Sequence, residues 1–163
     1  GALGTVREAD IWNLSQGSEN TPTPFITSPH LDIDPRISPD GRYVAYYSDE
    51  TGRSEIFVSD FPDAKSKWQV SFSGGEDPRW NGKGNELFYL EGNTVMSVSI
   101  STQPVFRPGN AQKLFSGDDA DAILMNNYDV SSDGTRFMIA RNAGASGTIN
   151  VVLNWIREYE EEP

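Results

Sequence analysis

The stretch Ser38-Pro-Asp-Gly-Arg-Tyr-Val-Ala-Tyr-Tyr-Ser-Asp-Glu-Thr-Gly-Arg-Ser-Glu-Ile-Phe-Val-Ser-Asp60 reads as turn, strand, turn, strand. Pro39 presets φ for the second turn position, Asp40 can cap its own backbone, and Gly41 supplies a positive φ without steric cost. The pattern recurs. Asp34–Ser48 (DPRISPDGRYVAYYS), Asp77–Glu91 (DPRWNGKGNELFYLE) and Tyr128–Arg141 (YDVSSDGTRFMIAR) each give a strand-like approach, a tight turn ending in glycine, and an apolar strand. The turn glycines Gly41, Gly84 and Gly134 lie 43 and 50 residues apart. Periods of about 40–50 residues with four strands per repeat are the mark of a β-propeller.

The inner segments VAYY, LFYL and FMIA are apolar at every position, as expected of strands whose sheet is covered on both faces. Third strands follow at Ser54–Asp60, Asn93–Ile100 and Thr148–Ile156, and outer strands at Trp68–Ser73 and Gln112–Gly117. In SEIFVSD, Ile56 and Val58 are expected to face one way and Glu55 and Phe57 the other, the alternation of a half-covered strand. Upstream, DIWNLSQ and TPFIT read as the third and outer strands of a preceding blade. The resulting division is 1–9 tag remnant or linker, 10–27 part-blade, 34–73 and 77–117 whole blades, 128–157 part-blade and 158–163 acidic tail. The fold class is therefore all-β, built of four-stranded antiparallel propeller blades. Two whole blades and two part-blades fall short of the roughly 4–8 that close a ring.

Composition removes several functions. A net charge of -11 argues against nucleic-acid binding, which needs Lys and Arg to neutralise phosphates, and against an anionic membrane surface. The absence of cysteine excludes disulfides, thiolate metal sites and cysteine nucleophiles. No run approaches the roughly 18–20 apolar residues of a membrane-spanning helix. The opening Gly-Ala-Leu-Gly has no signal-peptide pattern and reads as a cloning remnant or a cut inside a longer chain.

The segments SPDGRYVAYYS, WQVS, GGEDPRW, NELFYL and YDVSSDGTRFMIAR followed by VVLNW resemble the TolB-like, WD-related propeller repeats of bacteria. They are similar in particular to the C-terminal end of propellers attached to bacterial serine/threonine kinases and related sensor proteins. The resemblance spans about Asp10 to Tyr159. It implies about half of a six-bladed propeller in which each blade's first strand lines a channel. It further implies a non-catalytic binding or scaffolding module for a protein or peptide, periplasmic or otherwise extracytoplasmic, with no cofactor. No kinase signature accompanies it. Two chains together approach the length of a six-bladed ring, so a homodimer closing the ring is a second expectation. The alternatives are the non-catalytic propeller of a hydrolase or peptidase, and a self-assembling half-propeller without a ligand.

The candidate site follows from the alignment. Arg36 and Arg79 occupy one repeat position and Asp129 the same position in the third blade, with Asp34 and Asp77 two residues earlier. At a channel mouth, these arginines could hold a ligand carboxylate in bidentate fashion, or they could pair with the aspartates and staple blades together. The aromatics Trp68, Phe72, Trp80 and Phe88 read as inter-blade packing. His30, the one histidine, reads as a loop residue, and no Gly-x-Ser-x-Gly elbow exists to make a triad of it. Asp118, Asp119 and Asp121 are a weak oxygen-ligand candidate for calcium, without EF-hand spacing.

Overall fold

The computed structural model describes residues 9–16 and 21–141. The expected strand Thr148–Ile156, the segment 1–8 and the tail lie outside them. Two four-stranded antiparallel sheets stand at the centre. One has the order β3 (Asp32–Ile37), β4 (Tyr43–Ser48), β5 (Glu55–Asp60), β6 (Lys67–Gln69). The other has β7 (Glu76–Trp80), β8 (Glu86–Glu91), β9 (Thr94–Ser101), β10 (Arg107–Ser116). They are flanked by two two-stranded sheets, β1 (Ile11–Asn13) with β2 (Thr23–Ile26), and β11 (Tyr128–Val130) with β12 (Phe137–Ile139). Each central sheet is a meander in sequence order, as a propeller blade requires.

The core is three layers, each between successive sheets. Ile11 packs with Tyr46 and Phe57, between the first pair and the first whole blade. Ala45, Ile56 and Val58 meet Leu87, Tyr89 and Val98 between the two whole blades. Phe88, Leu90 and Val95 meet Leu124 and Tyr128, with Phe137 and Ile139 against them, on the far side of the second blade. Consecutive residues of β4 and β8 thus enter different layers, which is why these strands are apolar throughout. Burial lifts the phenols of Tyr46 and Tyr89 to about 12.

Three expectations need correction. β5 does not alternate between covered and open: Glu55 to Ser59 are all buried, because sheets cover both of its faces. The outer strand expected over Trp68–Ser73 ends at Gln69; Val70 and Ser71 leave the ladder but stay buried, and the Ser71 hydroxyl accepts from the Ile56 N–H at 2.7 Å. That same hydroxyl donates to the buried Glu55 carboxylate, which Arg53 Nε also meets at 2.6 Å. The outer strand of the second blade starts at Arg107 rather than Gln112, extended past a register shift between Pro108 and Ala111.

The three repeat turns form as their sequences demand, with φ of 71°, 68° and 75° at Gly41, Gly84 and Gly134. In the first, Asp40 Oδ1 accepts from Ser38 Oγ at 2.6 Å and from the Arg42 N–H at 3.1 Å. In the third, Asp133 accepts from Ser131 Oγ, the Thr135 N–H and Thr135 Oγ1, which holds its carboxyl well below the usual range. Turns of successive blades touch: the Gly82 N–H donates to the Ser132 carbonyl at 2.7 Å, and a Cβ on Gly82 would sit 2.8 Å from that oxygen. Glu86 lies beside Gly134 of the next blade, half-buried, and accepts from Ser97 Oγ. Burial raises its carboxyl, and the serine hydroxyl offsets part of that rise.

Two outcomes follow. Leu87→Ala empties a fully buried position between blades and is expected to cost about 3 kcal/mol of unfolding free energy in urea titration. For Glu86 the folded carboxyl binds its proton more tightly than the unfolded one. Its contribution is therefore complete at acid pH and is lost as pH rises through the folded value. Glu86→Gln, which keeps an acceptor for Ser97, is expected to gain stability relative to wild type between pH 4 and pH 7. A gap that is constant or narrows over that range would contradict the assignment.

Candidate functional site

β3 and β7 are the first strands of their sheets and lie side by side, with β11 next to β7. Both carry Asp-Pro-Arg, and proline inside a strand forbids a regular ladder. The structure resolves this with a bulge in each: pairing shifts between Ile33 and Arg36 and between Glu76 and Arg79, and the aspartates adopt positive φ, 56° at Asp34 and 54° at Asp77. Aspartate tolerates this region better than most residues. The bulge places each aspartate beside the arginine two residues on.

The result is a four-membered charge cluster. Arg36 Nη2 is 2.5 Å from Asp34 Oδ1, and Arg79 Nη2 is 2.5 Å from Asp77 Oδ1. The cross-blade pairs are longer: Arg36 Nη2 to Asp77 Oδ1 is 4.0 Å and Arg79 Nη1 to Asp34 Oδ2 is 3.7 Å. Each guanidinium also donates to the preceding proline carbonyl, Arg36 to Pro35 at 3.2 Å and Arg79 to Pro78 at 2.8 Å. Trp80 Nε1 donates to the Arg36 carbonyl at 2.9 Å, a further tie between blades.

The cluster is graded in depth. The Asp77 side chain is 3% exposed and Arg79 16%, whereas Arg36 is 37% exposed. Asp77 Oδ2 accepts from the Asn126 N–H at 2.8 Å, the Asp77 carbonyl accepts from Tyr128 Oη at 2.7 Å, and Arg79 lies 5.4 Å over the Tyr128 ring. Burial, with Asp77 nearby, pushes the Tyr128 phenol well above its ordinary value. Burial also raises Asp34, outweighing the pull of Arg36. The arrangement pairs each arginine with an aspartate of its own blade and approaches that of the neighbour, which is the stapling geometry. Arg36 alone keeps a substantial open side.

Asp129 does not join this group. It is exposed, and its Oδ1 accepts from the N–H of Val130 at 2.8 Å. Where the first two blades place an arginine over the axis-side strand, the third contributes Tyr128, one residue earlier. The sequence held a signal for Tyr128, the one large aromatic in a short first strand, but alignment on the turn glycine passed over it.

The three aspartates of the other candidate do not converge. Asp118 and Asp119 begin a short 3-10 turn; Asp118 Oδ1 accepts from Asn93 Nδ2 at 2.6 Å and Asp121 lies 3.7 Å from Arg141. Among the described residues no group of three or more carboxylates or imidazoles could hold a metal ion. Asn93 is the organiser here: it also donates to the Ala122 carbonyl and accepts from the Leu124 N–H. A shallow cavity of about 290 Å³ beside it is lined by Asp118, Asp121 and Ile123. His30 sits in a loop, Nδ1 3.7 Å from Asp49. Of the aromatics, Trp68 packs on Phe106 and Phe88 on Phe137, both across blades, whereas Phe72 is 67% exposed.

No family model and no curated protein matches the sequence. Among solved structures, the chain is similar to a putative TolB from Agrobacterium tumefaciens, with a TM-score of 0.57 and 19% identity over 82% of this chain and 51% of that one. It also matches TolB from Acinetobacter baumannii, with a TM-score of 0.39 and 14% identity over 77% of this chain and 41% of that one. The first likeness and the meandering blades define the fold as a TolB-like β-propeller, and the chain spans about half the length of that TolB chain.

Asp77→Asn keeps an acceptor for Asn126 and a residue at ease at positive φ, but strips the buried negative charge from between two arginines. It is expected to cost about 3 kcal/mol by urea unfolding. Adding Arg79→Met should recover part of that loss, since the two residues form one unit.

Proposed function

We propose that this chain is a non-catalytic propeller module, part of a larger bacterial protein, that binds a protein or peptide at the axis side of its blades. The observation that carries this reading is the Arg36 guanidinium. It is fixed by Asp34, backed by Asp77 and the Pro35 carbonyl, and still open over more than a third of its surface. A donor held in place in this way loses little freedom when a partner docks, which is what makes a pre-organised contact effective. The groups at hand are guanidiniums, carboxylates and backbone carbonyls. They offer charge pairing and hydrogen bonding, and the partner chemistry that suits Arg36 is a carboxylate, from a chain terminus or an acidic side chain. The half-exposed position also fits discrimination better than raw affinity, because a competing aspartate already occupies one side of the cation.

The test is a phage-displayed peptide library panned on the immobilised chain. The expected outcome is a set of peptides sharing an acidic or C-terminal carboxylate, with binding weakened about tenfold or more by Arg36→Ala. Thermal melts of the variant check that the blades remain folded. A library that enriches nothing over blank matrix, or peptides that bind the folded Arg36→Ala variant as well as wild type, would refute the proposal.

A further inference from the structure

Each repeat turn opens on a residue whose side chain closes the turn. Ser38 Oγ accepts from the Tyr43 N–H at 3.0 Å, Ser131 Oγ from the Arg136 N–H at 3.0 Å, and Asn81 Oδ1 from the Asn85 N–H at 3.2 Å. Of the three turns, the second alone uses an amide for this, and Asn81 Nδ2 donates in turn to Asn85 Oδ1 at 2.8 Å. The residue that follows is dictated by the neighbouring blade. The Gly82 N–H donates to the Ser132 carbonyl at 2.7 Å, and a Cβ at position 82 would lie 2.8 Å from both the Ser132 Cβ and that carbonyl oxygen, so glycine is what allows the approach. A capping amide and a required glycine together make Asn81-Gly82, the one Asn-Gly pair in the sequence.

An asparagine before glycine is prone to deamidate, because no side chain shields the glycine nitrogen and its backbone is free to rotate toward the amide. We propose that Asn81-Gly82 is a self-modification site, whose deamidation is held off by the docked turn between β11 and β12 and, once complete, loosens that docking. The Gly82 nitrogen gives its proton to solvent and attacks Asn81 Cγ. An N–Cγ bond forms, the Cγ–Nδ2 bond breaks, and the departing nitrogen takes a proton from solvent and leaves as ammonia. Water then adds to either carbonyl of the succinimide ring and opens it, returning a proton to the Gly82 nitrogen. The products are aspartate or isoaspartate at position 81; water is the one co-reactant, and nothing is oxidised or reduced.

In the docked state both reacting groups are occupied. The Gly82 N–H is spent on Ser132, both ends of the Asn81 amide are held by Asn85, and Asn81 is 4% exposed. The reaction therefore waits for the Ser132 contact to open, a local event that does not require the whole chain to unfold. The other two turns carry Asp40-Gly41 and Asp133-Gly134, and an ionised carboxylate is a poorer electrophile than an amide. The product works against re-docking. Aspartate at 81 places a charge in a buried position, in surroundings that already hold Glu86: a Cβ on Gly134 would lie 3.0 Å from Glu86 Oε2 and 3.6 Å from the Asn81 Cβ. Isoaspartate adds a carbon to the main chain immediately before Gly82 and carries its N–H away from the Ser132 carbonyl. The inference is independent of the peptide-binding reading, and neither experiment depends on the outcome of the other.

The measurement is peptide mapping by mass spectrometry during incubation at mildly alkaline pH, with ammonia release as a second readout. Conversion at Asn81 is expected to run about tenfold or more slower in the folded protein than in urea. Leu124→Ala empties a 0% exposed position in the layer between the second blade and β11, and is expected to speed conversion severalfold. Val58→Ala, equally buried but between the two whole blades, is expected to leave the rate within about twofold of wild type. If Leu124→Ala does not fold, Tyr128→Phe replaces it, since it removes only the hydroxyl that bonds the Asp77 carbonyl. Converted wild type is expected to lose hydrogen-exchange protection in β11 and β12, whereas Asn81→Ser, which carries the cap of the other two turns, keeps it after the same incubation. Equal rates in the folded protein and in urea overturn the proposal, as does equal acceleration by the two core variants, since the gate would then be global unfolding. No conversion even in urea, or unchanged protection in the converted protein, overturns it as well.

Discussion

Ala45 and Tyr46 are neighbours in one strand, point in opposite directions, and are both sealed from solvent, one by the following blade and one by the preceding pair of strands. That double burial is the constraint on which the rest of the structure depends. A four-stranded sheet of this size has no core of its own; its apolar surface leaves water only when another sheet lies on each face. At roughly 25 cal/mol per Å² of apolar surface removed from water, the inter-blade layers are where the fold's driving force resides. Polar groups inside them are accordingly spoken for. Glu55, 1% exposed, is held by Ser71 and Arg53 and by the Gly74 N–H at 3.0 Å, so that the third strand can be buried along its whole length.

The parts of this architecture that are legible in sequence are those written twice or three times. Turn chemistry at Gly41, Gly84 and Gly134 is local, and local chemistry repeats when the repeat does. The apolar runs VAYY and LFYL carry double burial openly. β5 does not, because Glu55 and Ser59 look like solvent-facing residues. Only the contacts of Glu55 with Ser71, brought from the far end of the blade, show why a carboxylate can sit in the interior. Asn93 is hidden for the same reason. Its importance lies in the connection to the next blade, Asp118 to Leu124, and nothing in the local pattern around Asn93 announces that it will organise a loop more than twenty residues away.

The Asp-Pro-Arg bulge sits between these cases. Its residues stand out in the sequence, and alignment correctly brings Arg36, Arg79, Asp34 and Asp77 together. What alignment cannot supply is the backbone. A proline in a strand signals a break in the ladder, but the positive φ at the aspartate and the return of the arginine toward it are consequences of the bulge. Asp129 shows the limit: it shares the aligned position, yet its strand has neither the proline nor the bulge, and it bonds to its own backbone neighbour instead. Position in a repeat predicts role only where the local geometry that creates the role is also repeated.

The charge cluster takes its character from what lies on either side of its two blades. A charge group at the inner edge of two successive blades is a segment of a ring, and its chemistry depends on what continues the ring on either side. On one side the continuation is visible: Tyr128 and the Asn126 N–H close over Asp77 and make it the buried member. On the other, Arg36 faces outward with its partner Asp34 and keeps its open surface. The asymmetry between Arg36 and Arg79, chemically equal and at equivalent positions, thus comes from their neighbours rather than from their own blades. In a repeat protein each unit is finished by the next, so the depth of each arginine is set by the strands that flank its blade, even where the residues of the blade itself are the same.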